Sequence, residues 1–295
     1  MAQVGHTLVE VEKLAWEGAY IHLPAVFTTG QMPDTPSSFY PIPPAEGTLL
    51  ARVSSIAAVA AVGLEAVSYG SENRGELFVN LAVMPGEGVY ADKSRKSMKG
   101  HTDAVSFPVR GTHDALRNEL APSPDFVCLA GLRNPDGVHT TVMPLADVLA
   151  KLRPEDILEL KKPQFIIRSQ ATFREGMLKI LGEEHIVDGG EFLFEVNGQT
   201  WVRFSHSSAG VDDEEGPGAA AIEAFVNACR DSTSAVQVAP GDVLLVNNRL
   251  ALHGRSAVGG EPGGQSRWIL RSYGLVTAGL SERQRGDGPL HMLFP

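Results

Sequence analysis

Between residues 76 and 275 the chain reads as a succession of short, strand-length apolar segments broken by turn residues, with no βαβ alternation. Strands at irregular spacing, with helical stretches between them, fit a mostly β core carrying helical insertions rather than a doubly wound parallel sheet. The segments lie at 76–83, closed by Pro85-Gly86, and at 126–132, 164–168, 191–196, 200–204, 242–246 and 267–275. Asn197-Gly198, between 191–196 and 200–204, is a two-residue hairpin signal, because both residues tolerate the positive φ that a tight antiparallel turn demands. Apolar residues at near-helical spacing predict helices at 46–65, 145–152, 154–160 (with Pro154 in its first turn) and 219–230. Residues 25–47, rich in Pro, Ser, Thr and Gly, read as an ordered loop or connecting arm. The glycines at 259–264 do not follow a strand and open a helix, so they read as a flexible loop and not as a phosphate cradle.

Charge and hydropathy exclude several partners. Lys and Arg number 25 against 35 Asp and Glu, a net charge of −10, which disfavours nucleic acid and anionic lipid surfaces. A mean hydropathy of −0.04 is that of neither a membrane protein nor a disordered one. No apolar run approaches the ~18 residues of a membrane span. The two cysteines cannot form a disulfide framework, and Cys128, inside an apolar run, reads as a buried thiol. The expectation is a soluble, reduced, cytoplasmic protein whose 295 residues make one elaborated domain.

Of nine histidines, His6, His22 and His291 lie near the termini and need no function. His101 differs by its company, His101-Thr102-Asp103. On a strand, residues i and i+2 share a face, so an imidazole and a carboxylate can converge on a cation. The pattern alone arises often by chance. A third ligand, His253, follows the strand at 242–246 through Asn247-Asn248-Arg249-Leu250-Ala251-Leu252. Two histidines and one carboxylate leave three coordination positions open, which suits non-haem Fe(II). Arg267 and Arg271 lie four apart in a strand and share a face, each offering a planar fork for a carboxylate. The apolar Trp268-Ile269-Leu270 between them implies partial burial.

In this order, His101-x-Asp103, Asn248-x4-His253 and Arg267, the sequence resembles the Fe(II)/2-oxoglutarate dioxygenase superfamily. It is most similar to the clavaminate synthase-like branch that holds the free arginine and asparagine β-hydroxylases. Lys99-Gly100-His101-Thr102-Asp103-Ala104, Leu132-Arg133-Asn134-Pro135-Asp136, Thr140-Thr141 and His253-Gly254-Arg255 carry the likeness, which runs from about residue 65 to about 276. That branch typically carries His-x-Glu. His101-x-Asp103 is instead the form of the taurine dioxygenase relatives, which loosens the inference to a substrate but leaves the metal assignment intact. A carboxylate at this position argues against the halogenating variant.

The resemblance implies a double-stranded β-helix (jelly-roll) core with His101, Asp103 and His253 holding Fe(II). It implies that 2-oxoglutarate and O2 are cosubstrates, with Arg267 holding the distal carboxylate of 2-oxoglutarate. A hydroxyl from Thr141 or Thr140 would assist, with Thr141 preferred. Arg271 would meet a substrate carboxylate. Glu72, by itself an exposed loop charge in Ser71–Gly75, would meet a substrate ammonium. A lid at about 205–220 would cover the site, leaving 1–65 as an arm and helix packed on the core. Four acids, Asp212-Asp213-Glu214-Glu215, usually mark a solvated loop. In a lid, Asp212 and Asp213 would select a cationic side chain such as that of lysine or arginine. The implied activity is hydroxylation of a free amino acid or an amino-acid-derived metabolite, with release of succinate and CO2. Desaturation or cyclisation of a larger natural-product intermediate remains open, as does a non-oxidative, cupin-like metal-binding barrel. The cupin-like reading leaves Arg267 and Arg271 unexplained. Nothing in the sequence specifies an oligomeric state.

Overall fold

A computed structural model describes residues 7–111 and 117–295; His6 lies outside this range. In chain order the elements are α1 (Leu8–Glu17), β1 (Tyr20–Leu23), α2 (Glu46–Ala61), β2 (Glu65–Tyr69), β3 (Val79–Ala82), α3 (Val89–Arg95), β4 (Met98–His101), β5 (Phe126–Arg133) and β6 (His139–Pro144). There follow α4 (Leu145–Leu149), α5 (Pro154–Leu160), β7 (Phe165–Arg168), α6 (Ala171–Leu181), β8 (Ile186–Gly190), β9 (Leu193–Val196), β10 (Gln199–Val202) and β11 (Ala209–Val211). The chain ends with α7 (Pro217–Asp231), β12 (Ser234–Gln237), β13 (Val243–Asn247), β14 (Ala251–Arg255), β15 (Trp268–Leu275), α8 (Glu282–Arg285) and β16 (Met292–Leu293).

Two sheets face each other to make the jelly-roll. The larger runs β1-β13-β5-β15-β2-β16, with β3 also paired to β15; the smaller runs β12-β6-β14-β4. The continuous apolar run of β5 is explained by burial on both faces. Val127 and Leu129 point into the cluster between the sheets, while Phe126, Cys128, Ala130 and Leu132 pack outward beneath α2. β13 and β15 divide in the same way, Leu244, Val246, Ile269 and Tyr273 inward and Leu245, Trp268 and Leu270 outward. The smaller sheet is backed by a second apolar cluster, in which Met143 and Leu252 meet Leu160 of α5 and Phe225 of α7. β7, β8 and β11 form a separate small sheet, and β9 and β10 a hairpin. Its two-residue loop is the expected Asn197-Gly198, with φ of 50° and 79°.

The helix expected at 46–65 stops at Ala61, because Gly63 adopts φ +77° and the chain turns into β2. None of the four strands of the smaller sheet, β12, β6, β14 and β4, falls within the segments expected from the sequence. β4 (Met-Lys-Gly-His) and β14 (Ala-Leu-His-Gly-Arg) lack β-branched residues and are held by pairing with their neighbours. The Pro-rich arm is ordered through Asn80 of β3, whose Nδ2 donates to the Ser38 and Pro41 carbonyls and whose Oδ1 accepts from Trp268 Nε1. No helix among the described residues is long and apolar enough to cross a membrane.

One buried ion cluster ties the strand ends together. The Asp125 carboxylate accepts from Arg249 Nε at 3.1 Å, from Arg110 Nε at 3.1 Å and from the Val276 amide at 3.0 Å. Arg249 also donates to Ser123 Oγ and to the Ser123 carbonyl. Removing one member of such a cluster leaves a buried charge without compensation. Asp125→Ala is therefore expected to lower stability by roughly 3–5 kcal/mol in urea denaturation, and Asp125→Ala combined with Arg249→Met to recover part of that loss.

Candidate metal and carboxylate-binding site

The triad is assembled by register. β14 runs antiparallel to β4 with His253 opposite His101, so both imidazoles enter the space between the two sheets, ring centroids 4.4 Å apart. Gly254 permits this approach, since a Cβ there would lie 2.3 Å from the Met98 carbonyl oxygen. Contrary to the sequence expectation, Asp103 is not on the strand. β4 ends at His101 and the chain turns, Ala104 taking φ 54°. Asn248 secures that turn from both sides: its Oδ1 accepts from the Asp103 amide at 2.9 Å and its Nδ2 donates to the Asp103 carbonyl at 3.1 Å.

The carboxylate thus sits between the rings, Asp103 Oδ1 3.6 Å from His101 Nε2 and Oδ2 3.5 Å from His253 Nε2. All three residues are buried, and one ligand atom from each lies within 4.8 Å of the others. The Lys99 carbonyl, 2.9 Å from His101 Nδ1, fixes the tautomer that turns the Nε2 lone pair toward the site. Burial, reinforced by the neighbouring His253, pushes the His101 pKa down to about 3. Burial opposes ionisation of Asp103, but the His253 hydrogen bond and the surrounding positive charge outweigh it and hold the carboxyl below its ordinary range. Neutral imidazole and ionised carboxylate are the forms that ligate a divalent metal.

The cavity around the triad is completed from the opposite sheet by Arg267 and Arg271, and from the smaller sheet by Thr140 and Arg255. Arg267 is 4% exposed, meets no carboxylate among the described residues and leaves its Nε without an acceptor. Burial, with the nearby Arg255 charge, lowers its pKa to about 9. Thr140, not Thr141, faces this space; the preference for Thr141 is corrected by strand alternation, which sends Thr141 to the far side of β6 against Gly254 and His206. Arg271 and Glu72 meet at 2.6 Å, and Tyr273 Oη also donates to Glu72 Oε2. Glu72 is buried, not an exposed loop charge, and its Oε1 has no hydrogen-bond partner. Beyond this pair a second cavity of ≈ 660 Å³ opens toward solvent, sharing Phe39, Leu81, Tyr90, Thr172 and Arg271 with the inner one.

Asp212 and Asp213 lie apart from both cavities. The chain at 209–211 is a strand paired to β7, and Asp213 then accepts from the Glu215 amide in the turn before α7. Both acids face solvent, and no residue of 205–220, the expected lid, lines either cavity. The walls come instead from Phe39 of the arm, Tyr90 and Lys93 of α3, and Gln170 and Thr172 at the start of α6. Sequence reasoning missed Lys93, Gln170 and Arg255. Arg255 alone lay in a quoted motif, His253-Gly254-Arg255.

A jelly-roll with two histidines on its smaller sheet, a carboxylate in the turn that follows one of them, and an uncompensated arginine facing them matches the two-histidine, one-carboxylate pattern of non-haem Fe(II) oxygenases. The model of the taurine catabolism dioxygenase TauD, TfdA family matches residues 65–273, and the chain belongs to that family. Among curated relatives, the enduracididine beta-hydroxylase of Streptomyces hygroscopicus is 26% identical over 195 residues, covering 60% of this chain and 53% of the relative. The L-lysine 3-hydroxylase of Catenulispora acidiphila is 25% identical over 229 residues, covering 75% and 58%. The chain thus spans a little over half the length of these curated relatives. In fold it is similar to asparagine oxygenase bound to Fe(II), 3-hydroxyasparagine and succinate, with TM-score 0.76, 18% identity, and coverage of 100% of this chain and 86% of that one. The non-haem iron oxygenase OrfP with Fe and alpha-ketoglutaric acid also gives 0.76, at 20% identity over 97% and 85%.

The depressed His101 pKa has a measurable sign. Below the ordinary imidazole value of 6.5 an unfolded chain takes up a proton that the folded chain refuses until about pH 3. Stability of the metal-free protein is therefore expected to be level above pH 6.5 and to decline between pH 6.5 and 3, by up to about 1.4 kcal/mol per pH unit. Urea midpoints across that range check this, and His101→Gln should flatten the decline.

Proposed function

We propose that this chain is a non-haem Fe(II)- and 2-oxoglutarate-dependent dioxygenase. It hydroxylates an unactivated C–H of a free amino acid or amino-acid-derived metabolite and releases succinate and CO2. The observation that carries this reading is Arg267, a buried guanidinium with no anion of its own, in the cavity that holds the triad. A buried cation without a partner is costly, and a site of this form is completed by an anionic ligand.

The donor set fits the implied cofactors. Two neutral imidazoles and one carboxylate would hold Fe(II) and leave positions for 2-oxoglutarate and O2, which together supply the oxidising power when bound. Arg267 binds the distal carboxylate of 2-oxoglutarate, and the Thr140 hydroxyl, from the facing sheet of the same cavity, donates a hydrogen bond to it. Arg271 and Glu72 are the two halves of a receptor for an amino-acid zwitterion. The guanidinium takes the α-carboxylate and Glu72, through its unpartnered Oε1, takes the ammonium. Tyr273 Oη holds Glu72 in place by donating to Oε2. Anchored there, the substrate's nearest side-chain carbons approach the triad, and Phe39, Leu81 and Tyr90 exclude water from them. The same reading makes the chain one dioxygenase domain in a reducing, cytoplasmic compartment, in keeping with the free, buried Cys128 and Cys229.

Protein loaded anaerobically with Fe(II) and 2-oxoglutarate and then exposed to O2 is expected to release succinate faster when a suitable amino acid is present. His253→Ala should abolish the stimulation; undiminished activity in that variant would refute the site. Arg267→Gln is expected to raise the KM for 2-oxoglutarate roughly a hundredfold, the equivalent of about 2–3 kcal/mol of charge-assisted hydrogen bonding. Thr140→Val should raise it by a smaller factor, and Thr141→Val should not change it.

A further inference from the structure

The inner cavity carries four cations, Lys93, Arg255, Arg267 and Arg271, against one lining carboxylate, Asp103. On the functional reading above, three of the four have duties. Arg267 meets 2-oxoglutarate and Arg271 meets the α-carboxylate. Arg255 spends Nη2 on the carbonyls of Lys93 and Lys96, at 2.9 and 2.7 Å, and so pins the last turn of α3 against the site. Lys93 has none. It is half-buried and lines the inner cavity, close enough to feel Asp103, Glu72, Arg271 and Arg255, yet its ammonium has no acceptor among the described residues. The two nearby carboxylates are already engaged, Asp103 between the triad imidazoles and Glu72 with Arg271. The acids once expected to attract a cationic side chain, Asp212 and Asp213, lie in solvent.

We propose that Lys93 is a specificity-determining residue and that the substrate is an α-amino acid whose side chain ends in an anion, a carboxylate or a sulfonate. This rests on the Arg271–Glu72 zwitterion receptor and deepens it. With the α-groups held there, a short side chain lies over the triad and its end meets the Lys93 ammonium. A lysine side chain in the same place would bring its ammonium against Lys93 and Arg255 with no free carboxylate to offset it, so like-charge repulsion rejects it. The substrate thus differs in charge from the lysine named for one curated relative.

The test uses the full-length protein loaded anaerobically with Fe(II) and 2-oxoglutarate, titrated calorimetrically with L-aspartate, L-glutamate, L-cysteate and L-lysine. The first two against the third separate carboxylate from sulfonate. At least one acidic amino acid is expected to bind tenfold or more tightly than lysine. Lys93→Met should weaken that binding at least tenfold without changing 2-oxoglutarate affinity, Lys93→Arg should retain it, and Lys93→Glu should favour lysine. The unchanged 2-oxoglutarate affinity shows that each variant is folded. The proposal is overturned if lysine binds more tightly than all three acids, if none of the acids binds, or if Lys93→Met leaves acid binding unaltered. Failure of the wild-type protein to bind 2-oxoglutarate would instead overturn the underlying reading of Arg267.

Discussion

Everything in the site depends on the register of β14 against β4. Side chains alternate along a strand, so a slip of one residue would turn His253 out of the space between the sheets and bring Gly254 in. The register is held from three directions. β6 pairs with the other edge of β14, placing Val142 opposite His253. Gly254 lets the Met98 carbonyl approach to a distance that any side chain would prevent. Just before β14, Asn248 grips the peptide groups on both sides of Asp103. The metal-ligand geometry is thus a property of backbone pairing, and the imidazoles inherit it.

Two buried arginines show how the same chemical group serves stability in one place and recognition in another. Arg249, 1% exposed, has Asp125, Ser123 and a carbonyl to satisfy its donors, and it ties β5 to the β13–β14 turn. Arg267, 4% exposed, has among the described residues neither a carboxylate nor an acceptor for its Nε. The first is complete and the second incomplete, and that difference separates a structural cation from a ligand-binding one.

The chemistry was more legible in the sequence than the scaffold that positions it. His101, Asp103, His253, Arg267 and Arg271, singled out by residue type, chain order and a family resemblance, line a single cavity. The large sheet could be read because its central strands are buried on both faces and appear as continuous apolar runs. The smaller sheet could not, since β4 and β14 contain the ligands themselves together with Gly, Lys and Arg, and exist through their neighbours. Thr140 and Thr141 are adjacent, and which of them faces the cavity depends on the phase of a strand that the local pattern does not reveal. Lys93 gave no signal because its exposure depends on where α3 packs. The run Asp212–Glu215 misled for the converse reason: four acids in a loop indicate charge, not direction.

The ligand set and the cavity walls belong to different kinds of chain. His101, His253 and Arg271 are rooted in paired strands, and Asp103 and Arg267 lie within two residues of a strand end. Phe39 comes from the arm and Tyr90 and Lys93 from α3, which begins after Gly86 and Gly88, both at positive φ with open space where a Cβ would stand. These segments contact the strands through a few side-chain hydrogen bonds, from Arg255 and Asn80, and not through a β ladder. The strand-borne residues can therefore remain fixed while selectivity drifts through changes confined to the rim.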